Sequence, residues 1–248
     1  MIPKQIFTYW EGMSFDYIKY CFKTIEERSE CKLFKLNPTN IDEYIDGSGL
    51  SRRWKCLKII SQKVDCLRAA LLYNNGGMWC DADTVWLHKI PEELFQNDHD
   101  ICLLKWPSGI ILNGYFIAKK NSVFLQKVIE RINTYLSDGR TKYPENGFVL
   151  FGETVFNEVA QQYPDLVNIL PTDIFLPVEF QFNPRIWEVK KKINEFIKPE
   201  TLCIGLSHST NFIYSRKSVY QAVSILANQD NLFGDIFKHS INLGEVNS

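Results

Sequence analysis

The sequence predicts an α/β fold in which one sheet is flanked by helices. Three observations predict it. Segments of strand-like and helix-like periodicity alternate along the chain. A long helical run ends at Asn74-Asn75-Gly76-Gly77, and an apolar strand-like segment follows it directly. The chain has 248 residues, of which 45% are hydrophobic and 14% aromatic, enough for one large core and outside the disordered classes. Lys and Arg number 28 against 29 Asp and Glu, a formal net charge of -1, so the overall balance gives no reason to expect nucleic acid as a partner.

Residues 5–10 read as a first strand, and Ser14 as the cap of a helix whose apolar face is Ile18, Cys21, Phe22 and Ile25. A second strand over 32–36 stops at Asn37-Pro38, and 46–51 form a glycine-containing loop. The next helix covers 54–73 with Val64, Leu67 and Leu71 inward, and its Asn-Asn-Gly-Gly stop supplies the left-handed residues that a helix exit commonly uses. Residues 78–81 then read as a buried strand. Further strands are expected at 101–104 and 110–118, and helices at 122–136 and 152–162. The last third is less regular, with a strand at 202–207 and a helix at 219–227. No repeat, low-complexity tract or linker divides the chain, so residues 1–248 read as one domain.

The seven cysteines, at 21, 31, 56, 66, 80, 102 and 203, form no C-x-x-C pair and no zinc spacing, which suits buried thiols of a reducing compartment. The opening MIPKQIFTYW has too few apolar residues for a signal peptide, and no run approaches the roughly 20 apolar residues of a membrane span. A cytoplasmic location is expected, with peripheral contact at the inner membrane face left open.

The chemistry concentrates in QKVDCLRAALLYNNGGMWCDADTVWL, residues 62–87. Asp81 and Asp83, separated by Ala82, can approach a single divalent cation such as Mn2+ or Mg2+. A leaving diphosphate needs such an oxygen-ligated cation, so the segment reads as a site for a metal and a nucleotide sugar. Asp65 and Arg68 are three residues apart and share one helix face. By themselves they also fit a surface ion pair, and two aspartates after a strand also fit a turn.

IPKQIFTYWEG, VDCLRAALLYNNGGMWCDADTVWL and NGYFIAKK, in that order, resemble the DXD-containing sugar transferases of glycosyltransferase family 32 and the related bacterial capsular polysaccharide synthesis proteins. The resemblance covers roughly the first half of the chain. It implies a GT-A-type, Rossmann-like nucleotide-sugar-binding sheet, with residues 1–120 mainly on the donor side and 121–248 forming an irregular acceptor side and a C-terminal metal or lid region. The implied activity is sugar transfer from a nucleotide-diphosphate donor to a saccharide or lipid-linked glycan, with retention of anomeric configuration. By the same resemblance Thr8, Tyr9 and Trp10 lie against base and ribose, and Asp65 and Arg68 grip the donor sugar and its phosphate. Asp81 holds ribose or sugar hydroxyls, Asp83 the metal, and His208 in LSHSTNF adds a metal ligand. The tryptophan that commonly follows this histidine is replaced here by Asn211 and Phe212.

Asn113 resembles the family's sugar-contacting asparagine, although Asn-Gly is also a common turn pair. Glu153, after Gly152 at an expected helix start, is better placed to favour the helix dipole than to bind acceptor. His88, His99 and His239 show no ligand spacing. A second class remains open, since Asp81-Ala82-Asp83-Thr84 also satisfies the D-x-D-x-T nucleophile motif of haloacid-dehalogenase-like phosphatases, with Asp81 as nucleophile and Asp83 as acid/base. That motif normally lies near the start of the chain with an acidic pair downstream, and the late candidate here, Gly234-Asp235, has no second aspartate within four residues. A non-catalytic sugar-nucleotide binder is the third reading.

Overall fold

The computed structural model describes residues 1–138, 149–176, 190–206 and 222–246. Two compact units interleave along the sequence. The first comprises Met1–Glu11, Lys32–Cys80 and Pro91–Pro171, and the second Gly12–Cys31, Asp81–Ile90 and Thr172–Ser248.

The first unit is built on a six-stranded sheet. Its strands are β1 (Gln5–Tyr9), β2 (Lys32–Leu36), β3 (Gly77–Cys80), β5 (Ile101–Lys105), β6 (Ile111–Ala118) and β7 (Val167–Leu170), in the order β2-β1-β3-β6-β5-β7. Parallel pairing joins β1 to β2 and β3, and β5 to β7, whereas β6 runs antiparallel to both β3 and β5. One reversed strand therefore sits in the middle of an otherwise parallel sheet. The strand expected over 5–10 ends one residue early, at Tyr9, although the Trp10 N–H still donates to the Leu36 carbonyl at 2.9 Å.

The helix leading to β3 is α3 (Ile60–Asn75). It starts later than the apolar pattern suggested, because Trp54 belongs to a separate 3-10 turn, Arg52–Cys56, whose preceding Ser51 accepts from Arg53 N–H. Every residue from Asp65 to Leu72 is buried, while Val64 is only half-buried. An element buried on nearly all sides has little amphipathic contrast to read from sequence. The Asn-Asn-Gly-Gly exit behaves as expected: Gly76 and Gly77 have φ of 66° and 102°, and a β-carbon on Gly77 would stand 2.7 Å from the Gln5 carbonyl oxygen.

Downstream, α5 (Val123–Ser137) is capped by Ser122, which accepts from Leu125 N–H at 3.1 Å, and by the Asp100 carboxylate, which accepts from Phe124 N–H at 2.8 Å. A π-helical turn, Leu150–Thr154, runs into α6 (Val155–Gln162), where the sequence pattern suggested one continuous helix. Short helices α2 (Ile41–Ile45) and α4 (Glu93–Gln96), and β7, carried too little periodicity to be anticipated. The core joins Trp79 and Phe116 from the sheet to Leu67 and Leu71 of α3, Phe124 of α5, and Phe151 and Phe156 around the π turn.

The second unit contains α1 (Asp16–Arg28), the antiparallel pair β4 (Thr84–Trp86) and β8 (Cys203–Gly205), α7 (Val223–Leu226) and α8 (Leu232–Val246). Phe15, not Ser14, occupies the N-cap of α1 and makes no side-chain cap bond. Ile18, Cys21 and Ile25 are buried as expected and Phe22 is half-buried. The strand expected at 202–207 is the shorter β8, and the helix expected at 219–227 is the four-residue α7; Ser207 and residues 219–221 lie outside the described residues. The fifteen-residue α8 lies beyond the last helix expected from the sequence. It buries Leu232, Phe233, Ile236 and Phe237, and its Phe233 ring meets that of Tyr17 edge-on at 6.3 Å. Arg28 fastens it, donating to the Ser240 carbonyl at 2.7 Å and to the Trp86 carbonyl at 2.9 Å.

Candidate functional site

In the first unit, α3 and β6 bring three of the expected residues together. Arg68 Nη2 lies 3.2 Å from Asp65 Oδ1, Arg68 Nη1 donates to the Asn113 carbonyl at 2.5 Å, and Asn113 Nδ2 donates to Asp65 Oδ1 at 2.8 Å. The guanidinium also lies 5.1 Å from the Trp79 ring centroid. The Asp65 and Arg68 side chains are only 8% and 7% exposed, so they are not the surface pair that an i,i+3 spacing allows. A buried pair needs extra hydrogen bonds to offset its desolvation, and Asn113 provides them from both its backbone and its side chain. Asn113 lies inside β6, which corrects the Asn-Gly turn alternative.

Gly152 closes this cluster. A β-carbon there would come within 2.2 Å of Asn113 Nδ2 and 2.6 Å of Asp65 Oδ1, so the π turn packs its main chain directly against the two side chains. The sequence offered Gly152-Glu153 only as a helix start, and the contact partner of a glycine is invisible without the fold. Glu153 is half-buried, and burial raises its carboxyl above the usual glutamate value.

At the end of β1, Thr8 and Tyr9 are buried and Trp10 is half-buried. Thr8 is a core residue here, with 0% exposure. The Tyr9 hydroxyl donates to Glu11 Oε2 at 2.7 Å, and Lys63 Nζ approaches Glu11 Oε1 at 3.0 Å. Burial, then the Glu11 hydrogen bond and charge, raise the Tyr9 phenol above its ordinary value. Burial alone would raise Glu11, but hydrogen bonds from Tyr9 and Lys63 and the lysine charge outweigh it and lower its carboxyl. Sequence reasoning missed Glu11 and Lys63, which are too far apart in the chain to suggest a pair.

In the second unit, Asp81 and Asp83 are half-buried in the turn before β4. The Asp81 carbonyl accepts from Thr84 Oγ1 at 2.6 Å and the Asp83 carbonyl from Leu206 N–H at 2.9 Å, which fixes the backbone carrying both carboxylates. Tyr17, buried on α1, has its phenol pushed well up by burial first and then by the negative charge of Asp83. Two half-exposed carboxylates on a tethered backbone are hard oxygen donors and fit a divalent cation such as Mg2+ or Mn2+. Among the described residues no three His, Cys, Asp or Glu side chains gather as a ready metal cluster. His208 lies outside the described residues.

The remaining assignments resolve simply. Asp235, the late acid that the phosphatase reading needed, accepts from Ile193 N–H at 2.8 Å and lies 3.5 Å from Lys192 Nζ, a structural use. None of the seven cysteines, all among the described residues, forms a disulfide; six are buried as expected, and Cys56 is exposed. Among the described residues no helix is long and apolar enough to cross a membrane.

The sheet, with its single reversed strand, and the helices around it define a glycosyltransferase fold of the GT-A type. It is similar to mouse xyloside xylosyltransferase 1, with a TM-score of 0.52 at 9% identity, over 84% of this chain and 99% of that one. The chain belongs to the capsular polysaccharide synthesis protein family, whose profile matches residues 1–196. Looser similarity extends to a glycosyltransferase involved in glycosylation of the major capsid of PBCV-1, with a TM-score of 0.48 at 14% identity, over 82% of this chain and 92% of that one. It extends also to the glycosyltransferase GlyE of Streptococcus pneumoniae TIGR4, with a TM-score of 0.49 at 13% identity, over 82% of this chain and 54% of that one. No curated protein sequence matches the chain.

Proposed function

We propose that this member of the family moves a sugar from a nucleotide-diphosphate donor to a saccharide or lipid-linked glycan acceptor in surface polysaccharide synthesis, with retention of configuration. The observation that carries the reading is the buried Asp65–Arg68–Asn113 cluster closed by Gly152, in a chain of this family and fold. Asp65 and Asn113 are the contacts for donor-sugar hydroxyls, since short polar side chains fixed by one another present their groups without further ordering. Arg68 holds both in place and supplies positive charge toward the donor phosphate. Trp10, half-buried after β1, offers a ring face to the base, while Thr8 and Tyr9 shape that end of the strand from beneath.

Asp83 is the ligand for a divalent cation, with His208 as a further ligand, and Asp81 takes ribose or sugar hydroxyls. A bound cation supplies charge neutralisation for the departing diphosphate. The chain's own part is to hold the backbone that carries the carboxylates, through the Thr84 and Leu206 hydrogen bonds to the Asp81 and Asp83 carbonyls. Partial positive charge grows on the sugar as its bond to the diphosphate loosens, and the Asp65 carboxylate stabilises that state more than the ground state.

The test is a screen of nucleotide sugars for donor hydrolysis with added Mn2+ or Mg2+, which needs no acceptor. A transferase should hydrolyse one donor preferentially and melt at a higher temperature with the matching nucleoside diphosphate. Turnover of small phosphomonoesters through an aspartyl-phosphate at Asp81 would instead establish the phosphatase reading.

A further inference from the structure

The π turn that closes the cluster carries the Glu153 carboxylate, which no side chain among the described residues engages. Thr154 N–H bonds back to the Val149 carbonyl at 3.0 Å, the wide spacing of a π turn, a local irregularity that often marks a functional position. The turn is pinned to β6 by Asn157. Its Oδ1 accepts from Ile111 N–H at 2.9 Å, and its Nδ2 donates to the carbonyls of Ile111 at 3.0 Å and Glu153 at 2.7 Å. The main chain of Glu153 is thus fixed beside Gly152, which touches Asp65 and Asn113.

Among the described residues no side chain pairs with the Glu153 carboxylate, and burial is the sole cause of its raised proton affinity. Glu153 sits within the π turn, ahead of Thr154 at the N-cap of α6. A half-buried charge with no side-chain partner among the described residues is a cost to the fold, of the kind retained where it meets a ligand. Asp65 is buried whereas Glu153 is half-buried, so the glutamate is the more accessible of the two acids.

We infer that Glu153 binds the acceptor, its carboxylate taking the hydrogen bond of the sugar hydroxyl that receives the transferred group. This rests on the donor-sugar role proposed above for Asp65 and Asn113. The carboxylate orients the hydroxyl beside the donor sugar, and Gly152 sets the spacing because its lack of a side chain lets the turn approach the cluster.

The experiment compares wild type, Glu153→Ala and Glu153→Asp in two assays with Mn2+. One measures hydrolysis of UDP-glucose, GDP-mannose and dTDP-rhamnose. The other measures transfer from the hydrolysed donor to methyl glucosides and galactosides. Loss of a hydrogen bond to a charged group should lower transfer in Glu153→Ala by about ten- to a hundred-fold, with a raised KM for the glycoside. Hydrolysis and the melting shift given by the nucleoside diphosphate should stay at wild-type levels, and Glu153→Asp should recover part of the transfer. An equal fall of hydrolysis and transfer, or no change in either, would overturn the assignment. Absence of both hydrolysis and diphosphate stabilisation in the wild type would instead remove the donor reading, and Glu153's role with it.

Discussion

Gly152 and Asp65 meet so closely that a β-carbon on the glycine would stand 2.6 Å from the aspartate's Oδ1. The contact joins a π turn late in the first unit to the helix before β3, and it leaves no room for a side chain. Gly152→Ala should therefore push Asp65 and Asn113 apart. Overpacking of this kind costs about 1–3 kcal/mol, a fall of several degrees in melting temperature. Donor hydrolysis should fall further than stability alone explains, because the Asn113–Asp65 hydrogen bond is broken. Wild-type hydrolysis in a folded Gly152→Ala protein would show that this geometry is unimportant to the donor.

Arg68→Lys is expected to be neither silent nor purely catalytic. Its guanidinium reaches Asp65 with Nη2 and the Asn113 carbonyl with Nη1, a two-pronged geometry that one ammonium cannot reproduce. Removing one partner of a buried pair costs about 3–5 kcal/mol, so Arg68→Ala should be severely destabilised and Arg68→Lys less so. Differential scanning calorimetry beside donor hydrolysis checks both. An unchanged melting temperature in Arg68→Lys would mean that the pair does not hold the cluster.

Much of this was legible in the sequence because it is local. The strand over 32–36 and the Asn-Asn-Gly-Gly exit follow from short-range pattern and glycine conformation. The pairing of Asp65 with Arg68 follows from helical spacing, but their burial does not, since α3 is enclosed on nearly every side and its polar residues look like a solvent face. Gly152, Glu11 and Lys63 were illegible for another reason: their meaning lies in contacts between residues tens of positions apart. The spacing of Leu232, Phe233, Ile236 and Phe237 is that of a helix face, set in a stretch whose flanking sequence carries little periodicity.

Asp83→Asn should abolish metal-dependent turnover and leave the fold intact. The backbone of the turn is held through the Asp81 and Asp83 carbonyls, which the substitution keeps, and the side chain is half-exposed. Asparagine retains an oxygen but loses the charge that draws a divalent cation. Titrating Mn2+ into wild type and variant, with hydrolysis and melting temperature as readouts, tests this. Chelator-resistant hydrolysis in both proteins would refute a metal at Asp83.

Glu153 also makes a prediction about pH. Its folded-state value is raised by burial, whereas in the unfolded chain it returns to the ordinary glutamate value of about 4.3. Between the two values the unfolded state gives up its proton while the folded state keeps it, so this residue costs stability progressively as pH rises through that window. Above the folded value the cost is constant, and below the unfolded value it vanishes. Glu153→Gln is neutral at every pH and escapes the cost. Its melting temperature should exceed that of wild type at pH 7–8, and the difference should shrink to nothing below about pH 4. Thermal melts across that range decide the matter: a variant that is less stable than wild type at neutral pH would mean that the charged glutamate supports the fold, which removes the reason for assigning it to a ligand.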